Sequence, residues 1–235
     1  IREAERKVLY KEYCEMEKEI VTGIVQRYQK VSDNPPKYNI CIDLGKADAV
    51  LKESEQVPTE RFRRTEKIKV YIIKVEESSK GPVKGPIITI SRTHPEHVRR
   101  LFEAEVAEVR DGTVEIKSLA REAGSRTKIA VYSENPNVDA VGACVGVNGL
   151  RVNNIVEELR GEKIDIVNWR EDPAVLIENA LSPAKVVSVD VDEEEKTAKV
   201  IVPDYQLSLA IGKEGQNARL AAKLTGYKID IKSES

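Results

Sequence analysis

One pattern occurs twice in the C-terminal half of this 235-residue chain. Val145-Gly146-Val147-Asn148-Gly149, a helical stretch, Gly161 and Lys163-Ile164-Asp165-Ile166 return as Ile211-Gly212-Lys213-Glu214-Gly215, a helical stretch, Gly226 and Lys228-Ile229-Asp230-Ile231. The glycines repeat at an offset of 66 residues and the closing strands at 65, so the copies differ by one inserted residue. Around each core the same order is legible. In the first copy, Val98, Leu101, Phe102, Val106 and Val109 mark one helical face, and Asp111-Gly112 is a turn. Strands over 114–120 and 127–132 follow, then helix, G-x-x-G loop, helix and a strand over 163–167. The second copy reads as a helix over 173–181, strands over 186–190 and 198–202, helices over 206–211 and 216–224, and a strand over 227–231. Two α-β-β-α-α-β units point to tandem copies of one small domain rather than a single large core.

The chemistry of the repeat lies in the G-x-x-G between two helices. Two glycines permit a tight turn with no Cβ in the way. The following helix offers unsatisfied N–H groups and the positive end of its dipole at that turn. An anion can dock there against bare backbone. In KH-type RNA-binding domains such a loop clamps about four nucleotides by their backbone. The candidate RNA contacts are Gly146, Val147, Asn148, Gly149 and Arg151 in the first unit. In the second they are Ile211, Gly212, Lys213, Glu214, Gly215, Gln216 and Arg219. The second loop carries a cation, Lys213; the first carries none, and Arg151 is the nearest candidate to supply one.

The N-terminal half reads differently. Residues 3–20 are helix formers with opposite charges three and four apart, a solvated connector. Short alternating stretches follow at 20–28, 38–43, 49–51, 67–75 and 87–91, punctuated by Asn34-Pro35-Pro36, Gly45, Gly81-Pro82 and Gly85-Pro86. Five short strands with such punctuation predict a small β-barrel. Arg61, Arg63 and Arg64, with Lys67 and Lys69, form the densest basic cluster, a candidate phosphate track on the barrel. Tyr38 is placed either to stack a base or as a half-buried strand residue. Arg121, Arg126 and Lys128 flank the first hairpin turn of the repeat and read as surface charges.

Formal net charge is −2, so any basic footprint is local. Aromatics are 5% of the chain, too few for stacking to dominate recognition. Cys14, Cys41 and Cys144 are scattered, which favours free thiols in a reducing compartment. No apolar run approaches the roughly 18 residues of a membrane span, and no leader pattern opens the chain, so a soluble, cytoplasmic protein is expected. His94 and His97 are three apart, but no third ligand accompanies them, and a capping or surface role is expected. Phosphate-loop, dinucleotide and nucleophile-elbow motifs are absent. The expectation is a binding protein with no cofactor and no catalytic centre.

The segments GPIITISRTHPEHVRRLFEAEV (85–106), DGTVEIKSLAREAGSRTKIAVYS (111–133), VGACVGVNGLRVNNIVEELRGEKIDIVNW (141–169) and LSLAIGKEGQNARLAAKLTGYKIDI (207–231) resemble the bacterial NusA family of transcription termination/antitermination factors. The resemblance implies an S1-like OB-fold barrel over 19–92, followed by two tandem type II KH domains over 93–171 and 172–235. Residues 1–18 would be the last helix of an N-terminal, polymerase-binding domain, making this chain a fragment. It further implies single-stranded RNA, the nascent transcript, as ligand, with RNA polymerase and other antitermination factors as partners. The function implied is modulation of pausing, termination and antitermination. Two other readings compete: the RNA-binding module of an RNA-processing enzyme, in which a single KH usually precedes the barrel, and a protein-interaction scaffold, for which the uncharged first loop speaks.

Between Trp169 and Pro173 lie only Arg170, Glu171 and Asp172, too few for a flexible linker. Asp172-Pro173 reads as a cap and first helical position. The two repeat units are therefore expected to form one rigid platform, with Trp169 as a wedge between them or as the close of the first core.

Overall fold

Local sequence explains most of the boundaries in the computed structural model, which describes residues 2–77 and 85–235. Gly81-Pro82 lies outside the described residues. The chain divides into two units, residues 1–101 and 102–235.

In the first unit, α1 (Arg2–Cys14) is shorter than the helix-forming composition predicts. The chain turns at 15–18, where Lys18 takes a left-handed φ of 67° and donates its N–H to the Ile72 carbonyl at 2.7 Å. The demand of the sheet for partners overrides the helical propensity of this stretch. Strands β1 (Ile20–Asp33), β2 (Pro36–Asp43), β3 (Asp48–Leu51), β4 (Lys67–Glu76) and β5 (Ile87–Ser91) close a barrel in the order β1-β2-β3-β5-β4. β1 runs further than the alternation suggests because it pairs with β4 over its first half and β2 over its second. β3 pairs with β5 in parallel, at Val50 and Thr89. Val25, Ile40, Ile42, Leu51, Ile68, Val70, Ile72, Ile88 and Ile90 fill the interior, and Tyr13 of α1 packs against it. The Tyr13 hydroxyl donates to the Leu44 carbonyl at 3.2 Å. Arg92 is fully buried; its Nε donates to Glu60 at 2.8 Å, its Nη1 to the Lys69 carbonyl at 2.6 Å, and its Nη2 to the second oxygen of Glu60.

His94 accepts the Glu96 N–H on Nδ1 at 3.1 Å and stacks on Tyr71 with ring centroids 4.9 Å apart, so it caps the next helix. His97 is buried rather than on the surface, because it falls on the inward face of that helix with Val98 and Leu101. Among the described residues no cluster of three metal-ligating side chains exists.

The second unit holds both repeats except the start of the first repeat's opening helix, which precedes Phe102. The helix expected over 98–109 is two: α2 (Pro95–Glu105) and a single turn, α3 (Ala107–Arg110), broken where Val106 adopts φ −112° and ψ 108°. In the first repeat, β6 (Glu115–Glu122) and β7 (Arg126–Tyr132) pair antiparallel, then come α4 (Ala140–Val145), α5 (Leu150–Glu158) and β8 (Lys163–Asn168), which pairs parallel with β7. The second repeat has α6 (Pro173–Ala180), β9 (Ser188–Asp192), β10 (Thr197–Val202), α7 (Leu207–Ile211), α8 (Gln216–Thr225) and β11 (Lys228–Ser233). β9 pairs antiparallel and β11 parallel with β10. Strand edges move by one or two residues from the sequence reading. A 3-10 turn over Asp204–Gln206 leads into α7 where one helix is predicted. Asp172 caps α6 as its Asp-Pro signature predicts, accepting the Ala174 N–H at 3.0 Å.

One apolar core runs under both repeats: Ala120, Ala130 and Val167 of the first lie in the same cluster as Leu176, Ile177, Leu181, Val200 and Leu220 of the second. Trp169 packs on this cluster and stands edge-on to Tyr132 at 5.3 Å, so it closes the first sheet and the shared core together. Arg121 and Lys128, read from sequence as surface charges, have side chains only 1% and 0% exposed. Their partners come from 41 and 37 residues downstream: Glu162 takes Arg121 in a forked pair, and Asp165 takes Lys128 at 2.9 Å. Glu162 also accepts from the Gly124 N–H at 2.7 Å and the Thr127 hydroxyl at 2.6 Å, which fixes the β6–β7 turn.

Candidate nucleic-acid interface

Each G-x-x-G loop joins a short helix to a longer one, α4 to α5 and α7 to α8. The two loops share one backbone. Gly146 and Gly212 have φ 79° and 80° with ψ 172° and 170°; Asn148 and Glu214 have φ 55° and 56° with ψ 27° and 26°; Gly149 and Gly215 have φ 75° and 76° with ψ 13° and 11°. Three of four residues in each loop lie in or near the left-handed region, which explains the glycines. Close approach explains them a second time. A Cβ on Gly212 would meet the Asn217 amide nitrogen at 2.7 Å, and one on Gly146 would meet that of Arg151 at 2.9 Å. The result is a pair of bare turns at the starts of α5 and α8, with no side-chain cap on either helix.

The residues on the loops differ. Val147 is 82% exposed at the position where Lys213, also exposed, stands in the second loop. Leu150 and Ile211 are exposed beside them. Arg151 is committed to the protein: its Nη1 donates to Glu108 at 2.7 Å and to the Ala143 carbonyl at 2.7 Å. Asn217 holds the same position in the second unit and braces it likewise, donating to the carbonyls of Leu181 and Ala210 at 3.0 and 2.9 Å. The first loop therefore presents backbone and apolar surface, and the second presents backbone and a cation.

Gln216 and Arg219 of α8 reach the first repeat. Arg219 makes a forked pair with Glu122, at 2.7 and 2.8 Å, and its third nitrogen donates to the Glu214 carbonyl inside the loop at 3.0 Å. Gln216 donates to Ser125 at 2.6 Å and to Glu122 at 3.2 Å. The hydrogen bonds from Arg219 hold the Glu122 carboxyl below the usual carboxylate range, against a smaller opposing effect of burial. Sequence gave no sign of Glu122 or Ser125, because their partners are over 90 residues away. A cleft of about 320 Å³ lies beside this contact, lined by Ser125, Arg126 and Lys163 of the first repeat and Leu209, Gly212 and Lys213 of the second.

On the barrel, Arg61, Arg63 and Arg64 are exposed on the segment before β4. Tyr28 fastens that segment: its hydroxyl donates to the Phe62 carbonyl at 2.8 Å and accepts the Phe62 N–H at 3.1 Å. Arg61 turns back onto the carbonyls of Pro58 and Glu60, and Arg64 onto that of Gln26. Tyr38 is 40% exposed and meets Tyr28 edge-on at 6.4 Å.

A closed OB-type barrel followed by two α-β-β-α-α-β units with left-handed G-x-x-G loops defines a protein that joins an S1-like barrel to tandem type II KH domains. The sequence matches the NusA-like first KH domain over residues 92–169 and the NusA-like second KH domain over 173–235. It is 63% identical over 235 residues to the transcription termination/antitermination protein NusA of Halalkalibacterium halodurans, covering all of this chain and 59% of that protein. With its counterpart in Bacillus subtilis the identity is 60%, over all of this chain and 60% of the relative. With that of Mycobacterium tuberculosis it is 48%, over all of this chain and 67% of the relative. The chain belongs to the NusA family. It spans about three-fifths of the length of the first two relatives. Among the described residues no helix is long and apolar enough to cross a membrane.

Proposed function

We propose that this chain binds single-stranded RNA, the nascent transcript, as part of a cytoplasmic elongation factor that modulates pausing, termination and antitermination. The observation that carries the reading is the pair of loops with one backbone, each opening onto the uncapped start of a helix. Gly146 to Gly149 and Gly212 to Gly215 hold phosphates, Lys213 adds charge, and Gln216 and Arg219 keep the second loop aligned with the first. Arg151 acts by bracing its loop. Arg61, Arg63 and Arg64 offer a further track on the barrel. The domains run over 19–92, 93–171 and 172–235, after a connector segment at 1–18 whose helix ends at Cys14. RNA polymerase is engaged mainly through sequence outside these residues, and other antitermination factors are further partners. We read the chain as a binding protein rather than an enzyme, since its relatives are named as transcription termination/antitermination proteins.

The test is a titration of the chain with 5- and 11-nucleotide single-stranded RNAs of varied sequence and the matching DNAs. Tighter binding of the longer RNA is expected, with a log–log salt slope near about −3 if about four phosphates are neutralised. Absence of RNA binding, or cleavage of the RNA by the pure protein, overturns the proposal.

A further inference from the structure

The segment that leads into the second loop carries an apolar stripe its counterpart lacks. Tyr205 is 78% exposed and Leu209 45% exposed. They stand four residues apart on the helical run 204–211, so they share a face, and Lys213 follows four residues on. The turn that bears Tyr205 is fixed on both sides. Asp204 accepts from the Ser235 N–H and hydroxyl at 3.2 and 2.9 Å. The Gln206 side chain accepts the Lys185 N–H at 2.9 Å. Leu209 continues into the cleft that Arg126, Lys163 and Lys213 line.

The equivalent positions of the first repeat are Asp139, Ala143 and Val147. Asp139 caps α4 there, accepting the Gly142 N–H at 3.0 Å. The ring is thus not a demand of the fold, since the same fold is built without it. Nor does the core use it. What it provides is an exposed aromatic ring on a turn held through its neighbours, four residues before Leu209 of the cationic cleft. The flat partner that fits beside such a cleft is a nucleobase, because every base has a π-face while the charges hold its backbone.

We propose that Tyr205, supported by Leu209, is a base-stacking residue of the second repeat. It receives a nucleotide adjoining those whose phosphates lie on the loop from Gly212 to Gly215. Tyr205 lies roughly 10 Å along the helix axis from that loop, within the span of the four nucleotides such a loop grips. The proposal rests on the RNA-binding reading above.

The experiment uses the whole chain and 11-nucleotide RNAs with 2-aminopurine placed at successive positions. Wild type is expected to quench the probe strongly at one position. Tyr205→Ala is expected to lose that quench and weaken binding roughly five- to a hundredfold, the range for one stacked base. Tyr205→Phe is expected to keep both, since the ring and not the hydroxyl does the stacking. Lys213→Glu serves as the control for the clamp. Loss of binding in Lys213→Glu together with unchanged affinity and quenching in Tyr205→Ala overturns the stacking alone, and assigns the ring to contact with a protein. Failure of the wild-type chain to bind any of the RNAs overturns the stacking and the function together.

Discussion

Arg219 spans from the first turn of α8 to Glu122 at the end of β6, and with its remaining nitrogen it holds the carbonyl of Glu214. One side chain thus ties the second G-x-x-G loop to the first repeat. The forked geometry suits Arg and would be lost with Lys. Glu122→Gln keeps the shape and removes the charge. In this variant NMR relaxation is expected to report greater independent motion of the two repeats, and 11-nucleotide RNA to bind several-fold more weakly. A 5-nucleotide RNA, which fills one clamp, is expected to bind as before. Equal loss for both lengths would mean that Glu122 does not couple the loops.

The same pair sets a pH dependence. Arg219 holds the Glu122 carboxyl below its ordinary value of about 4.3. A carboxyl lowered in the folded state contributes stability that is present above the unfolded value and is lost as pH falls through the folded one. The link is therefore expected to be intact at neutral and mildly acidic pH and to fail only at pH below the ordinary carboxylate range. Carbon-13 titration of Glu122 is expected to show a midpoint that moves upward in Arg219→Gln.

The unequal loops give a gain-of-function test. Val147 occupies the place of Lys213 on the same backbone. Val147→Lys is expected to tighten RNA binding and to steepen the log–log salt slope by about 0.7, the contribution of one added phosphate contact. Lys213→Ala is expected to flatten it by a similar amount. Unchanged slopes in both would detach these positions from phosphate.

Lys128 is a buried cation that reaches from β7 to the Ser182 carbonyl at 2.8 Å while pairing with Asp165. Burial pulls its pKa down, and the Asp165 carboxylate opposes that. Lys128→Ala strips partners from both Asp165 and Ser182. Urea unfolding is expected to show a loss of about 3 kcal/mol, in the range for breaking a buried pair. A loss below about 1 kcal/mol would place Lys128 among surface charges, as its sequence context suggests.

Burial pushes the Cys144 thiol up to about 12. At pH 7.5 iodoacetamide is expected to leave it unmodified in the folded chain and to alkylate it in urea, as followed by mass spectrometry, because only the thiolate reacts.

What the sequence disclosed was whatever local chemistry writes into consecutive residues. Gly146, Gly149, Gly212 and Gly215 announced their loops because no other residue takes those torsions at so little cost. The barrel strands showed in their alternation, and Asp172-Pro173 showed a helix start. What stayed hidden depends on partners far away in the chain. Arg121 and Lys128 look like solvated charges until Glu162, just before β8, and Asp165, on it, arrive through the parallel pairing of β8 with β7. The break at Val106 has no Gly or Pro to mark it. The low aromatic content argues against stacking as the main device, yet a single ring such as Tyr205 beside one clamp needs no abundance.

The matched torsions of the two loops have an engineering meaning. Since the glycines and the braces at Arg151 and Asn217 set the conformation, the first middle residue of each loop is open to exchange, whereas Asn148 and Glu214 sit at left-handed torsions that favour Asn or Gly. Val147 and Lys213 are interchangeable inserts in one socket, and a library built on those two codons would retune the grip on its ligand without asking the chain to fold anew.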